Sequence, residues 1–238
     1  LKAHKNNFDF EYFISIPKEN KKFKKTKIFK KILFKIIIFF ENLILKLKNQ
    51  HHNHLNKFNI KNIVKKEITI ENYNKNGLKK KDNQNIKKKK FDFLIRSCSN
   101  ILTKDFLKTS KYGVISFHHG DYKKFRGSPA GFWEVFKQEK KTGFMIQILK
   151  SNLDYGNIIL EGYFQTKSFF LLNQAELYKK SNFYLQKILL DFSKNKKLLF
   201  LKKKKKGKIY ETPKIWNQLK YVYQTSKILI KKLFIYEN

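Results

Sequence analysis

At 238 residues the chain has room for one large domain, or for one domain with extensions. Its 41% apolar and 16% aromatic content can fill a sizeable core and excludes an intrinsically disordered chain, although 30% is charged. The formal charge of +36, from 54 Lys and Arg against 18 Asp and Glu, fits either a polyanion partner or a coding bias. Bias is the favoured reading. Lys, Asn, Ile and Phe all have A/T-rich codons and all abound, whereas Arg occurs only at Arg96 and Arg126. A nucleic-acid reader favours Arg for bidentate contacts. One cysteine, Cys98, excludes an internal disulfide and suits a reducing, cytoplasmic compartment. No signal peptide is seen. The first residue is Leu rather than Met, as expected of a fragment or of a chain whose first elements have drifted.

Taken in order, residues 1–24 open with FDFEYFISIP, a strand stopped by Pro17, followed by a lysine run. The window Ile28–Leu47 has the length needed to span a bilayer, about 20 residues. Lys30, Lys31, Lys35, Glu41 and Lys46 interrupt it, so no membrane span is expected and a packed helix over 25–48 is. His51, His52 and His54 follow in HHNH. With no Cys nearby they read as a solvated helix end, and no metal is expected. Residues 58–70 end in a β-branched strand, and 71–90 read as a loop and a charged helix.

Phe91–Ile95 and Tyr112–Phe117 are two buried strands joined by a turn and a short helix at Leu102–Thr109, the pattern of a parallel βαβ unit. Ligands bind at the carboxyl ends of such strands. Those ends are Ser97–Asn100 and the loop His118-His119-Gly120-Asp121. After that loop, Gly127-Ser128-Pro129 starts a helix running to about Gln138. Phe144–Leu149 and Asn157–Gln165 form a hairpin around the Asp154 turn. Asn173–Lys194 is an amphipathic helix with Ala175, Tyr178, Leu185, Leu189 and Phe192 on one stripe. Lys202–Lys206 is a charged connector. A last helix carries Trp216, Leu219, Tyr223, Ser226, Ile230 and Leu233 at spacings of three and four, a face expected to pack on the domain or on a second copy.

The stretch holding His118, Arg126-Gly127-Ser128-Pro129, Thr142-Gly143 and Leu153-Asp154-Tyr155-Gly156 resembles the folate-dependent formyltransferases over roughly residues 91–165. That group includes enzymes acting on glycinamide ribonucleotide, methionyl-tRNA and amino sugars. The resemblance implies an α/β fold with a mostly parallel sheet, here carrying a C-terminal helical extension. It divides the chain into a divergent or incomplete 1–90, a catalytic core at 91–170 and the extension at 171–238. Of the family's catalytic Asn, His and Asp, His118 and Asp154 match the last two, and Ser116 stands at the Asn position. The co-substrate implied is 10-formyltetrahydrofolate. Its pterin would lie among Ser97, Cys98, Ser99, Asn100, Ile101, Leu102, Leu149 and Leu153, with His119, Arg126 and Gly127 toward the amine.

The implied reaction moves a formyl group to a primary amine of a small molecule, an amino sugar or similar. The alternatives are methionyl-tRNA, reached through the basic surface, and a scaffold that kept the fold and lost the Asn. Residues 195–238 read as a connector and a helix instead of a tRNA-gripping β domain, which disfavours nucleic acid.

Overall fold

The computed structural model describes residues 9, 11–16, 25–50, 53–55, 64, 66–70, 73, 77–97, 101–150, 156–202 and 207–235. Its centre is a mixed four-stranded sheet of β3 (Leu94–Ile95), β4 (Val114–His119), β6 (Lys141–Ile148) and β7 (Asn157–Gln165), in that order. β3 runs parallel to β4, as the βαβ reading requires, with α3 (Lys104–Leu107) in the crossover. β6 runs antiparallel to both β4 and β7. Two further parallel pairs flank the sheet. β1 (Tyr12–Ser15) pairs with β2 (Lys66–Thr69) across α1 (Lys25–Leu47), and β5 (Phe125–Gly127) pairs with β8 (Lys208–Tyr210). Three of the five pairings are therefore parallel, and the fold is α/β.

The strand pleat sorts β4 into two faces. Ile115 packs with Leu185 and Leu189 beneath α5 (Phe170–Asn195), so Ile115, Phe117 and His119 share the α5 side. Val114 packs with Ile70, Ile86, Leu102 and Phe106 on the other side, under α2 (Lys80–Lys88) and α3. Ser116 and His118 share that second face. The expected stripe on α5 is the buried one: Ala175, Leu185, Leu189 and Phe192 are all inside.

A second core lies between α1, α4 (Phe132–Phe136), the start of α5 and α6 (Ile215–Ile235). Phe132 is fully buried and meets Phe34, Phe170 and Tyr221 at ring separations of 5.2, 5.7 and 5.1 Å. Burying such a ring contributes about 2–3 kcal/mol. The Glu41 carboxylate lies inside this core, accepting hydrogen bonds from the Leu171 amide and the Tyr221 hydroxyl.

Three expectations are corrected. Both histidines lie within β4, not in the loop after it, because the strand continues to its pairing of His119 with Phe144. The helix expected from Gly127 to Gln138 is only Phe132–Phe136, since Arg126 and Gly127 are drawn into β5. The α6 stripe is not the face packed on the domain. Trp216 is 80% and Tyr223 59% exposed, whereas Gln218 and Tyr221 are buried, and Ile228 and Leu229 pack on the same core. α1 is likewise two-faced, with Leu45 buried but Phe29, Phe39 and Leu47 exposed. Among the described residues no helix is long and apolar enough to cross a membrane.

Candidate active site

The site is built on the β4 face that carries Ser116 and His118. Ser116 is 2% exposed and sits between two neighbours. On one side it is in register with Gln147 of β6. On the other, the chain leaves β3 with the Arg96 amide bonded to the Ile115 carbonyl at 2.8 Å, and Arg96 Nη1 lies 3.5 Å from Ser116 Oγ.

Beside this pair opens a cavity of about 940 Å³. Because β3 is two residues long, the hollow wraps its open end. It is lined by Arg96, Ser97, Leu102 and Ser116 on one face, and by Phe117 and His119 on the other. His118 is not in that lining. Ser116 is the residue through which the hollow and the histidine's face meet.

His118 is held two residues further along β4, beneath the loop that returns through Tyr122 to β5. Gly120 makes that return possible at φ +119, donating its amide to the Gly143 carbonyl at 2.9 Å. Any larger residue there would be strained. The Phe125 carbonyl accepts a hydrogen bond from the imidazole, while Nε2 is buried without a hydrogen-bond partner among the described residues. The bonded nitrogen is therefore Nδ1, and the neutral ring presents a lone pair at Nε2. Burial pushes the His118 pKa below its ordinary 6.5, and the positive charge of Arg126 adds to this. The Phe125 bond and the charge of Asp121 oppose it. The ring is therefore an unprotonated base at neutral pH.

Asp121 and Glu134 fasten the loop. Glu134, 1% exposed, accepts the Asp121 amide at 2.9 Å, and Asp121 Oδ1 accepts the Lys123 amide at 3.0 Å. Burial, with the nearby charges of Asp121 and Glu139, raises the Glu134 pKa. Sequence reading had passed over Glu134. Its signal was an acid inside the apolar run FWEVF, where a buried carboxylate demands a partner. Arg96 was missed as well, although it is one of only two arginines in the chain.

The remaining expected residues fall into place unevenly. His119 points to the α5 side, where Nε2 is 3.0 Å from Ser181 Oγ, and its ring stacks on Phe117 at 5.4 Å. Burial lowers its pKa to about 4, with the charge of His118 adding to the effect. Arg126 Nη1 donates to the Gly207 carbonyl at 3.3 Å. Gly127, at φ +100, passes so close to Tyr210 that a Cβ would strike the Tyr210 carbonyl. Ser97 and Leu102 line the cavity, Leu149 packs on the cluster around Val114, and Ile101 is 62% exposed. Cys98, Ser99, Asn100, Leu153 and Asp154 lie outside the described residues. The described end of the Asp154 turn is Gly156, whose Cα abuts the side chain of Gln147, the register partner of Ser116. Among the described residues no His, Cys, Asp and Glu cluster could hold a metal ion.

Fold and site thus define an α/β protein with a neutral histidine and a small polar residue on one strand face beside an open hollow. The formyl transferase family matches residues 41–187, and the chain belongs to that family. A methionyl-tRNA formyltransferase of Clostridium perfringens is 37% identical over 71 residues, which are 29% of this chain and 23% of that protein. The match thus spans about a quarter of that relative's length. Two solved structures are similar at lower identity. A sugar N-formyltransferase from Shewanella has a TM-score of 0.48 at 13% identity, covering 67% of each chain. A 4-N formyltransferase from Francisella tularensis has a TM-score of 0.47 at 16% identity, covering 70% of each.

Proposed function

We propose that this protein transfers the formyl group of 10-formyltetrahydrofolate to a primary amine of a small molecule, an amino sugar or similar amine. The observation that carries the reading is His118: a half-buried, neutral imidazole whose buried Nε2 has no hydrogen-bond partner among the described residues, on the strand face it shares with Ser116.

In this reaction the amine nitrogen attacks the formyl carbon and forms the new C–N bond. Charge collects on the formyl oxygen. The bond from that carbon to folate N10 then breaks. His118 Nε2 takes the proton the amine must lose and returns it to N10 as tetrahydrofolate leaves, so no other reactant is consumed. The Phe125 carbonyl fixes the tautomer that leaves Nε2 free for this task. Asp154 is assigned to orient the imidazole or to accept a proton through water. Two residues on, Gly156 lies close against the side chain of Gln147. The hollow next to Ser116, at about 940 Å³, is large enough for a pterin and its aryl tail.

β8 joins β5 and α6 packs on α1, with Tyr221 reaching Glu41, so these elements complete the core. Methionyl-tRNA is the second reading. It is favoured by the +36 charge and by the Clostridium perfringens relative. Tetrahydrofolate release is to be followed with nucleotide-linked amino sugars and, separately, with charged initiator tRNA. Release with an amino sugar alone supports the first reading, and release with tRNA alone supports the second. No release with either refutes formyl transfer.

A further inference from the structure

Ser116 is too short to reach where a longer amide would hold the formyl oxygen. A hydroxyl alone therefore leaves the developing charge weakly held. A guanidinium stands beside Ser116, supplied from the end of the neighbouring strand. Arg96 follows β3 directly, its amide is tied to Ile115, and its Nη1 stands 3.5 Å from Ser116 Oγ while the side chain lines the cavity. Composition gives an independent pointer. Of the 54 Lys and Arg only two are Arg, at positions 96 and 126. Both border the site, Arg126 through its charge on His118 and Arg96 through Ser116. Where any cation suffices, this chain uses lysine. Lysine is a point charge on a flexible stem, whereas guanidinium is a planar fork with five donors in fixed directions. An arginine in such a background points to a place where the fork itself is used.

We propose that Arg96 and Ser116 together form the donor pair that binds the formyl oxygen as the tetrahedral intermediate forms. Ser116 lies against Nη1 of the guanidinium, and the Arg96 side chain lines the hollow. The inference rests on the formyl-transfer reading and names the residue that supplies the missing amide's role. The bonds made and broken are those given above: amine nitrogen to formyl carbon, then formyl carbon from N10. Arg96 stays protonated throughout and exchanges no proton.

The test uses Arg96→Met, which keeps the apolar stem and removes the fork, Arg96→Lys, and the double change Arg96→Met with Ser116→Asn. Steady-state turnover is measured with 10-formyltetrahydrofolate and the accepted amine. Binding of a non-reacting 10-formyl folate analogue and thermal melting are measured alongside. The expected result is a loss of about 10²–10³ in kcat for Arg96→Met. Analogue affinity should stay within threefold and melting should be unchanged. Arg96→Lys recovers less than a tenth of the activity, because the fork is absent. Ser116→Asn restores at least tenfold in the Arg96→Met background. A kcat for Arg96→Met within threefold of wild type overturns the proposal. So does a loss of analogue binding that accounts for the whole loss in rate, since a mere lining residue behaves that way. If Arg96→Met fails to fold, Arg96→Lys decides: wild-type kcat in a folded Lys variant overturns it. A wild-type protein that neither binds the analogue nor releases tetrahydrofolate removes the formyl-transfer reading itself, and this proposal with it.

Discussion

Replacing His118 by Leu separates chemistry from stability because the two effects are expected to differ greatly in size. Among the described residues the imidazole bonds to the Phe125 carbonyl and leaves Nε2 buried and unpartnered. Losing the bond costs about 1 kcal/mol net, and removing a buried orphan nitrogen recovers about 1–3 kcal/mol. Leucine fills most of the same volume beside Tyr122, so the stability change should stay within about 2 kcal/mol of zero. Loss of the general base should lower kcat by about 10²–10⁴. Urea unfolding and tetrahydrofolate release, measured on the same preparations, give both numbers. The wild-type rate should also show an acid limb. Burial lowers the pKa of His118, so the active neutral form persists below pH 6.5 and is lost only as the pH falls through that depressed value. A His118→Leu protein with turnover within tenfold of wild type refutes the reasoning. An activity loss explained by a destabilisation above about 4 kcal/mol makes His118 structural instead.

Three more outcomes are expected. Asp154→Asn removes most turnover and leaves the melting temperature in place; near-wild-type rates would take the carboxylate out of the mechanism. Asn173→Ala destabilises by about 2–4 kcal/mol in urea, because the Asn173 amide joins Thr142 Oγ1, the Lys167 amide and the Gly131 carbonyl in a fully buried position. A cost under 1 kcal/mol would mean that this network does not hold α5 to β6. Glu41 has its pKa raised, chiefly by burial, against the bonds from Leu171 and Tyr221. A folded pKa above the unfolded one gives stability that is full below about pH 4.5 and lost as pH rises through the folded value. Glu41→Gln should therefore gain stability relative to wild type between pH 4.5 and 8 in paired urea titrations. A difference that stays constant across that range would contradict the assignment.

Much of residues 91–195 was legible because local rules and tertiary packing agree there. β-Branched and aromatic residues at Val114–Phe117 form the central strand, and the apolar period of three and four on α5 faces the sheet. The β6–β7 hairpin follows from two apolar runs around one turn. α6 misled for a physical reason. In a chain this rich in Ile, Leu, Phe and Tyr both of its sides are apolar, and the buried side includes Gln218. That residue reads as surface until its amide is seen donating to the carbonyls of Lys30 and Pro213 at 2.8 Å each. His118 and His119 are sequence neighbours, yet a pleat of period two puts one on the Ser116 face and sends the other to Ser181 beneath α5. β5 and β8 are three residues each, too short to carry a pattern, and their pairing is visible only in space. The approach of Arg96 to Ser116 crosses from one strand to the next, a contact that no local sequence pattern carries.

The most direct measurement is a crystal structure of the protein with a non-reacting 10-formyl folate analogue. The pterin is expected in the hollow beside Ser97 and Leu102. The formyl oxygen is expected within hydrogen-bond distance of Arg96 or Ser116, and N10 should face His118 Nε2 with the Asp154 carboxylate turned toward the same imidazole. A folate bound elsewhere, or an imidazole and a carboxylate that stay apart on either side of it, would contradict the account.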